Sequence, residues 1–118
     1  MAAREIIFYR TATGNSPVEE FLDSLSARQA QKVTWVLRLI EELDTVQGQY
    51  LQKMTNTDDI WEVRIKSGSD IFRLLGFLDG AKLIVMAHAF QKKTQKTPRR
   101  AIRLAEERKR DYFRRKKR

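Results

Sequence analysis

The sequence predicts an α+β domain of two layers, with helices packed on one face of a largely antiparallel sheet. Three observations predict it. Trp61 to Lys66 alternates apolar and polar residues, the period of a half-buried strand. Ser67-Gly68-Ser69-Asp70 and Asp79-Gly80 supply turn chemistry between that strand and two later apolar runs, Ile71 to Leu78 and Lys82 to Phe90. Two helix starts, at Ser16-Pro17 and at Ser26, precede this meander.

Taken in order, Arg4 to Tyr9 is apolar and β-branched, a short first strand. Ser16-Pro17-Val18-Glu19 places a hydroxyl cap, a proline and an acid where a helix begins; Val18, Phe21, Leu22 and Leu25 give it one apolar face. Ser26 to Gln29 repeats the capping pattern and predicts a longer helix to about Val46, with Gly48 as its C-terminal cap. Its stripe is Ala30, Val33, Val36, Leu37, Ile40 and Leu43, flanked by Trp35 and Leu39 as packing residues. Tyr50 to Thr55 reads as a short strand and Asn56 to Asp59 as a turn. After the meander, Gln91 to Thr97 is a basic loop, and Thr97-Pro98 starts a last helix as cap and first residue. Ala101, Ile102, Ala105 and Tyr112 are its expected buried stripe.

The two meander turns predict registers. A turn on Gly68-Ser69 sets Arg64 opposite Arg73; a two-residue Asp79-Gly80 loop sets Leu78 opposite Ala81 and Arg73 opposite Met86, with His88 one step along. One face then carries Trp61, Val63, Ile65, Phe72, Leu74, Leu83 and Val85, a core. The other carries Glu62, Arg64, Lys66, Arg73 and His88, with Lys92 or Lys93 arriving beyond Phe90. Facing arginines repel. Either a carboxylate such as Glu62 neutralises them, or an anion such as a phosphate sits between them.

The 118 residues amount to one domain, with residues 114–118 expected as a basic, mobile tail. The absence of cysteine excludes disulfides, thiolate nucleophiles and cysteine-zinc sites. With His88 as the only histidine, no metal site is expected. No segment has the length and apolarity of a membrane span or the pattern of a secretory leader, so a cytoplasmic location is expected. Charge is divided unevenly: residues 1–91 hold 10 basic and 12 acidic side chains, residues 92–118 hold 14 and 3. That asymmetry points to a polyanionic partner, nucleic acid first.

The cations that the sheet gathers, Arg64, Arg73, Lys92 and Lys93, with Lys53 a further candidate and His88 beside them, suit a phosphodiester better than an amide. RNA supplies its own nucleophile, the 2′-hydroxyl. A nuclease therefore needs a base, an acid and charge stabilisers, and a lysine crowded by positive charge can act as the base.

Three segments carry a resemblance. Trp61-Glu62-Val63-Arg64, Asp70-Ile71-Phe72-Arg73-Leu74-Leu75, and His88-Ala89-Phe90-Gln91-Lys92-Lys93-Thr94-Gln95-Lys96-Thr97-Pro98 are similar to the RelE/ParE toxin superfamily, in its phage-derived HigB-type branch. Ala101, Ala105 and Asp111-Tyr112 fit the helix that follows. The resemblance implies a RelE-like fold: N-terminal strand, two-helix hairpin, antiparallel meander of three or four strands, C-terminal helix. It implies a toxin of a type II toxin–antitoxin pair that cleaves messenger RNA on the ribosome without a metal or other cofactor, and that a small helix-turn-helix antitoxin neutralises. Arg64, Arg73, Lys92, Lys93 and His88 are the implied catalytic set; Lys66, Lys96, Arg99 and Arg100, basic residues around it, are expected to bind RNA, and no membrane partner is expected. Two other functions remain open at this stage: a non-enzymatic, ParE-like toxin that binds a protein such as DNA gyrase, and an inactive phage-derived nucleic-acid-binding protein.

Overall fold

The computed structural model describes residues 3–46, 48–93 and 96–117. Thr94 and Gln95 of the basic loop, and Arg118 of the terminal basic run, lie outside the described residues. The elements run β1 (Glu5–Phe8), α1 (Pro17–Asp23), α2 (Ala27–Glu42), β2 (Leu51–Lys53), β3 (Trp61–Ser67), β4 (Asp70–Asp79), β5 (Leu83–Gln91) and α3 (Arg99–Lys116). The strands form one five-stranded mixed sheet in the order β1-β5-β4-β3-β2, with β1 parallel to β5 and the other neighbours antiparallel.

The two predicted helix starts are present. Ser16 caps α1, its hydroxyl accepting from the Glu19 N–H, and Pro17 takes the first position. Ser26 and Gln29 form a reciprocal capping box on α2. The far end of α2 differs from expectation: the helix stops at Glu42, before Val46 and Gly48. The cause is tertiary. The Arg4 guanidinium donates to the carbonyls of Ile40 (3.1 Å), Leu43 (2.6 Å) and Asp44 (3.0 Å), and the Glu41 carboxylate accepts from the Ile6 N–H (2.9 Å). The free carbonyls of α2 and the open edge of β1 thus satisfy each other's neighbourhood.

Helices cover both sheet faces, a correction to the two-layer expectation. On one face Val63, Ile65, Phe72, Leu74, Ile84 and Met86 pack beneath Val18, Val33, Val36, Leu37 and Ile40 of α1 and α2. On the other, Leu75, Phe77, Val85 and Ala87 pack beneath Ala101 and Ala105 of α3. Two small residues one helical turn apart let the α3 backbone lie close to the strands. The last turn of α3 is anchored too. Arg114 to Lys116, expected to begin a mobile tail, are helical; Arg115 pairs with Asp111 (2.7 Å) and Lys116 with Asp79 (2.6 Å).

The β3–β4 register is as predicted, with Arg64 opposite Arg73. The β4–β5 register is not. Asp79 pairs with Leu83 across a three-residue loop, and Arg73 lies opposite Phe90 rather than Met86. The odd shift turns Leu83 and Val85 onto the α3 face. A bulge between Leu75 and Gly76 then restores parity: Leu75 pairs with His88 and Gly76 with Met86, leaving Ala87 as the extra residue. The Ala87 carbonyl takes a hydrogen bond from Arg108 Nη1 (2.7 Å). His88 therefore keeps the face of Arg73, as expected, although by a different path.

Two predictions follow from this packing. A Cβ at Gly76 would collide with the Val85 carbonyl oxygen and the Met86 side chain. Gly76→Ala is expected to cost about 3 kcal/mol in urea denaturation, because the obstacle includes backbone that a rotamer change cannot move. The Asp111 carboxyl is held down to about 2, first by the Tyr9 hydroxyl (2.6 Å) and then by Arg115. Its stabilisation is present above the ordinary value of 3.8 and is lost as pH falls through about 2. Asp111→Asn should lower Tm by several degrees at pH 7 and by progressively less between pH 4 and pH 2; a constant difference would assign the effect to packing.

Candidate functional site

The sheet face on which α3 packs also carries the expected cations, beyond the strand residues under Ala101 and Ala105. β3 presents Glu62 and Arg64, and β4 presents Arg73 opposite Arg64. Glu62 and Arg73 are buried, at 6% and 7% exposure. The Glu62 Oε1 lies 3.4 Å from Arg64 Nε and 3.6 Å from Arg73 Nε, so one carboxylate oxygen serves two guanidiniums. Its Oε2 accepts from the Thr97 hydroxyl at 2.5 Å. Gln52 of β2 orients the other end of Arg64, its Oε1 accepting from Nη1 (3.3 Å). Arg73 Nη1 donates to the Phe72 carbonyl (3.2 Å), while its buried Nε makes no hydrogen bond. A desolvated guanidinium with an unsatisfied donor is costly, and a carboxylate shared with a second cation compensates it only in part.

Lys92 completes the cluster. Its backbone N–H donates to the Ile71 carbonyl (2.7 Å), which ends β5 beside β4. Burial, followed by the field of Arg73, pulls the Lys92 ammonium below its ordinary value, with Glu62 opposing and Arg64 adding to the shift. Burial likewise lowers Arg73, with Glu62 opposing and Arg64 adding. Arg64, Arg73 and Lys92 are thus one electrostatic unit around Glu62.

The remaining expected residues are placed differently. Lys66, exposed at the end of β3, lines a cleft of about 390 Å³ with Arg64, Arg73, Lys32 and Tyr50. Lys93 is exposed beside Lys92, and Lys96 is exposed ahead of α3. Arg99 and Arg100 are exposed on the first turn of α3; Arg99 lines a cleft with Thr55 to Thr57. Lys53 pairs with Asp59 (2.9 Å) on the surface. His88 is half-buried and stacked on Phe90, ring centroids 5.5 Å apart; burial, then the Arg108 charge, lowers its pKa and favours the neutral ring. Among the described residues, no three His, Asp or Glu side chains group as metal ligands, and no helix is long and apolar enough to cross a membrane.

Sequence reading missed two supports. Thr97 was expected to cap α3; instead Pro98 occupies the cap position without a side-chain bond, and the Thr97 hydroxyl is committed to Glu62. Gln52 carried no signal, because its role depends on β2 lying beside β3.

A mixed sheet with helices on both faces and a half-neutralised cation cluster on one of them defines the class as an α+β protein with excess positive charge at its sheet. The family comparison narrows this class. Residues 20–110 match the family described as Phage derived protein Gp49-like (DUF891), more than three-quarters of the chain, and the chain belongs to that family. The family is associated with RelE-like toxin–antitoxin proteins. No curated protein matches the chain.

The site generates a stability prediction. Glu62→Gln removes the carboxylate paired with both facing arginines and is expected to cost about 3–5 kcal/mol. Adding Arg73→Met should recover part of the loss, a coupling that a double-mutant cycle by chemical denaturation reads directly. Simple additivity would mean that Glu62 acts independently of Arg73.

Proposed function

We propose that the chain is the toxin of a type II toxin–antitoxin pair of the HigB-type branch, a metal-independent endoribonuclease that cleaves messenger RNA on the ribosome. The observation that carries this reading is the buried Arg73 guanidinium, under-satisfied at Nε and facing Arg64 and Lys92 around one carboxylate. A scissile phosphate supplies the missing acceptors and charge.

In this scheme neutral Lys92 takes the proton of the 2′-hydroxyl, and the 2′-oxygen attacks phosphorus. Arg73 and Arg64 stabilise the extra negative charge on the non-bridging oxygens. The bond from phosphorus to the 5′-oxygen breaks, and that oxygen takes a proton from solvent, giving a 2′,3′-cyclic phosphate and a 5′-hydroxyl. Lys93 adds positive charge beside the base. His88, neutral and stacked on Phe90, takes no step. Lys66, Lys96, Arg99 and Arg100 hold the flanking backbone by charge. The proposed silencing partner is a small helix-turn-helix antitoxin.

The test is cleavage of a defined message in a purified translation system, mapped by primer extension with and without ribosomes. Cuts are expected only on translated message and should fall at least about 100-fold in Arg73→Ala. Absence of cuts under both conditions would overturn the nuclease reading. The pH profile assigns the base. The active form of Lys92 is deprotonated, so the rate should rise with pH and level off below the ordinary lysine value of 10.5. Lys92→Met should be slow and flat over the same range; an unchanged rising profile would move the base elsewhere.

A further inference from the structure

The cleft of Arg64 and Arg73 continues onto α2. Lys32 and Lys66 line it together with Val36, Tyr50 and Ile71. The same two lysines line a second, larger cleft of about 740 Å³ with Arg28, Gln29, Trp35 and Asp70. The two hollows share Lys32 and Lys66 and so adjoin, a groove from the cation cluster round the end of β3 to α2, which packs on the other sheet face. Arg28, Lys32 and Trp35 are spaced four and three residues apart, which puts them on one side of the helix. Trp35 is 50% exposed, unusual for the largest side chain in a protein with otherwise covered aromatics. Lys32 Nζ lies 4.7 Å from its ring centroid, and the Tyr50 ring meets it edge-on at 6.4 Å. The Asp70 carboxylate in the wall is occupied by amides, accepting from Gln29 (2.9 Å) and Gln91 (3.2 Å).

Exposed aromatic rings interleaved with cations along a groove are the chemistry of single-stranded nucleic-acid binding: bases stack on the rings and phosphates follow the charges. We infer that this groove is an extended subsite for single-stranded RNA, with Trp35 as a stacking platform for a base several nucleotides from the scissile phosphate. Lys32 and Lys66 grip the intervening backbone. A stacked base displaces the Lys32 ammonium from the ring and leaves it beside the phosphate of the same nucleotide. The inference rests on the RNA-cleaving reading and adds to it a residue, Trp35, that lies on another element from the reacting groups.

Trp35 and Trp61 are the only tryptophans, so the full chain carrying Trp61→Phe reports on Trp35 alone. The probe is a 2′-O-methyl oligouridylate of about eight nucleotides, which lacks the attacking hydroxyl. Trp35 emission should be quenched on binding. Trp35→Ala, made in the unsubstituted chain and followed by anisotropy of labelled probe, should weaken binding roughly 5- to 150-fold, with Trp35→Phe retaining part of the affinity. Lys32→Ala should flatten the salt dependence by about 0.7 in log–log slope. Melting curves establish that each variant is folded. Unchanged affinity in Trp35→Ala, with loss in Arg73→Ala, would overturn the platform and leave the RNA site standing. No binding by the unsubstituted chain would overturn the subsite, while cuts on translated message would leave the nuclease reading standing. Unchanged RNA affinity in Trp35→Ala, coupled with loss of a protein partner's binding, would also overturn the platform and assign the surface to that partner.

Discussion

One carboxylate holds the open end of this sheet together. The β3–β4 register places Arg64 and Arg73 directly opposite each other, an arrangement that repels and that a buried environment makes worse. Glu62 permits it by standing between both guanidiniums with Oε1. Its second oxygen holds Thr97, and Thr97 stands next to Pro98, where α3 begins. The same group therefore neutralises the strands and fixes the point from which the helix crosses that same sheet face. The helix start forgoes its own side-chain cap in return, a local loss of roughly 1 kcal/mol that the buried bond offsets.

The balance around Glu62 remains positive. Two guanidiniums and a desolvated ammonium face a single carboxylate, and one buried donor has no acceptor. A site built only for stability would pair its charges or replace them with apolar groups of equal volume. Retained excess charge in a partly dry cleft interacts strongly with an incoming anion and suits a transition state with more negative charge than its ground state. The lowered Lys92 belongs to the same arrangement: burial and the positive field of Arg73 make the lysine easier to deprotonate. His88 shares the face without sharing the field, since its ring is turned to Phe90 and Arg108.

Much of this was legible in the sequence where local chemistry decides the outcome. The alternation of Trp61 to Lys66 and the Gly68 turn were enough to oppose Arg64 and Arg73, and Ser16 and Ser26 marked both helix starts. What failed depends on partners distant in the chain. Asp79-Gly80 is a strong turn signal, but loop length is settled by pairing, and the strands close at Leu83. Ala87 carries no bulge signature; its place is set by the Gly76 backbone approach and by Arg108 from α3. The stripe of α3 was readable, whereas the face it covers was not, because apolar runs such as Ile71 to Leu78 suit either side. The end of α2 depends on Arg4, which lies some forty residues away along the chain.

Net charge misdirects in an instructive way. The excess of basic residues after Gln91 suggests that the C-terminal helix grips the polyanion. Much of that charge has internal work: Arg108 holds the bulge carbonyl, Lys109 pairs with Asp58, Arg115 with Asp111, and Lys116 with Asp79. The contacts of Arg108, Lys109 and Lys116 dock α3 onto the sheet and its turns, while Arg115 and Asp111 pair within the helix. The cations left facing the open cleft come mainly from the part of the chain whose overall balance is slightly acidic: Arg64, Arg73, Lys66 and Lys32. A field is focused by where charges sit relative to a low-dielectric wall, and a sum over the sequence does not contain that information. The groove on α2 follows from the same argument, since its aromatic ring and its lysines lie in a stretch that composition alone would pass over.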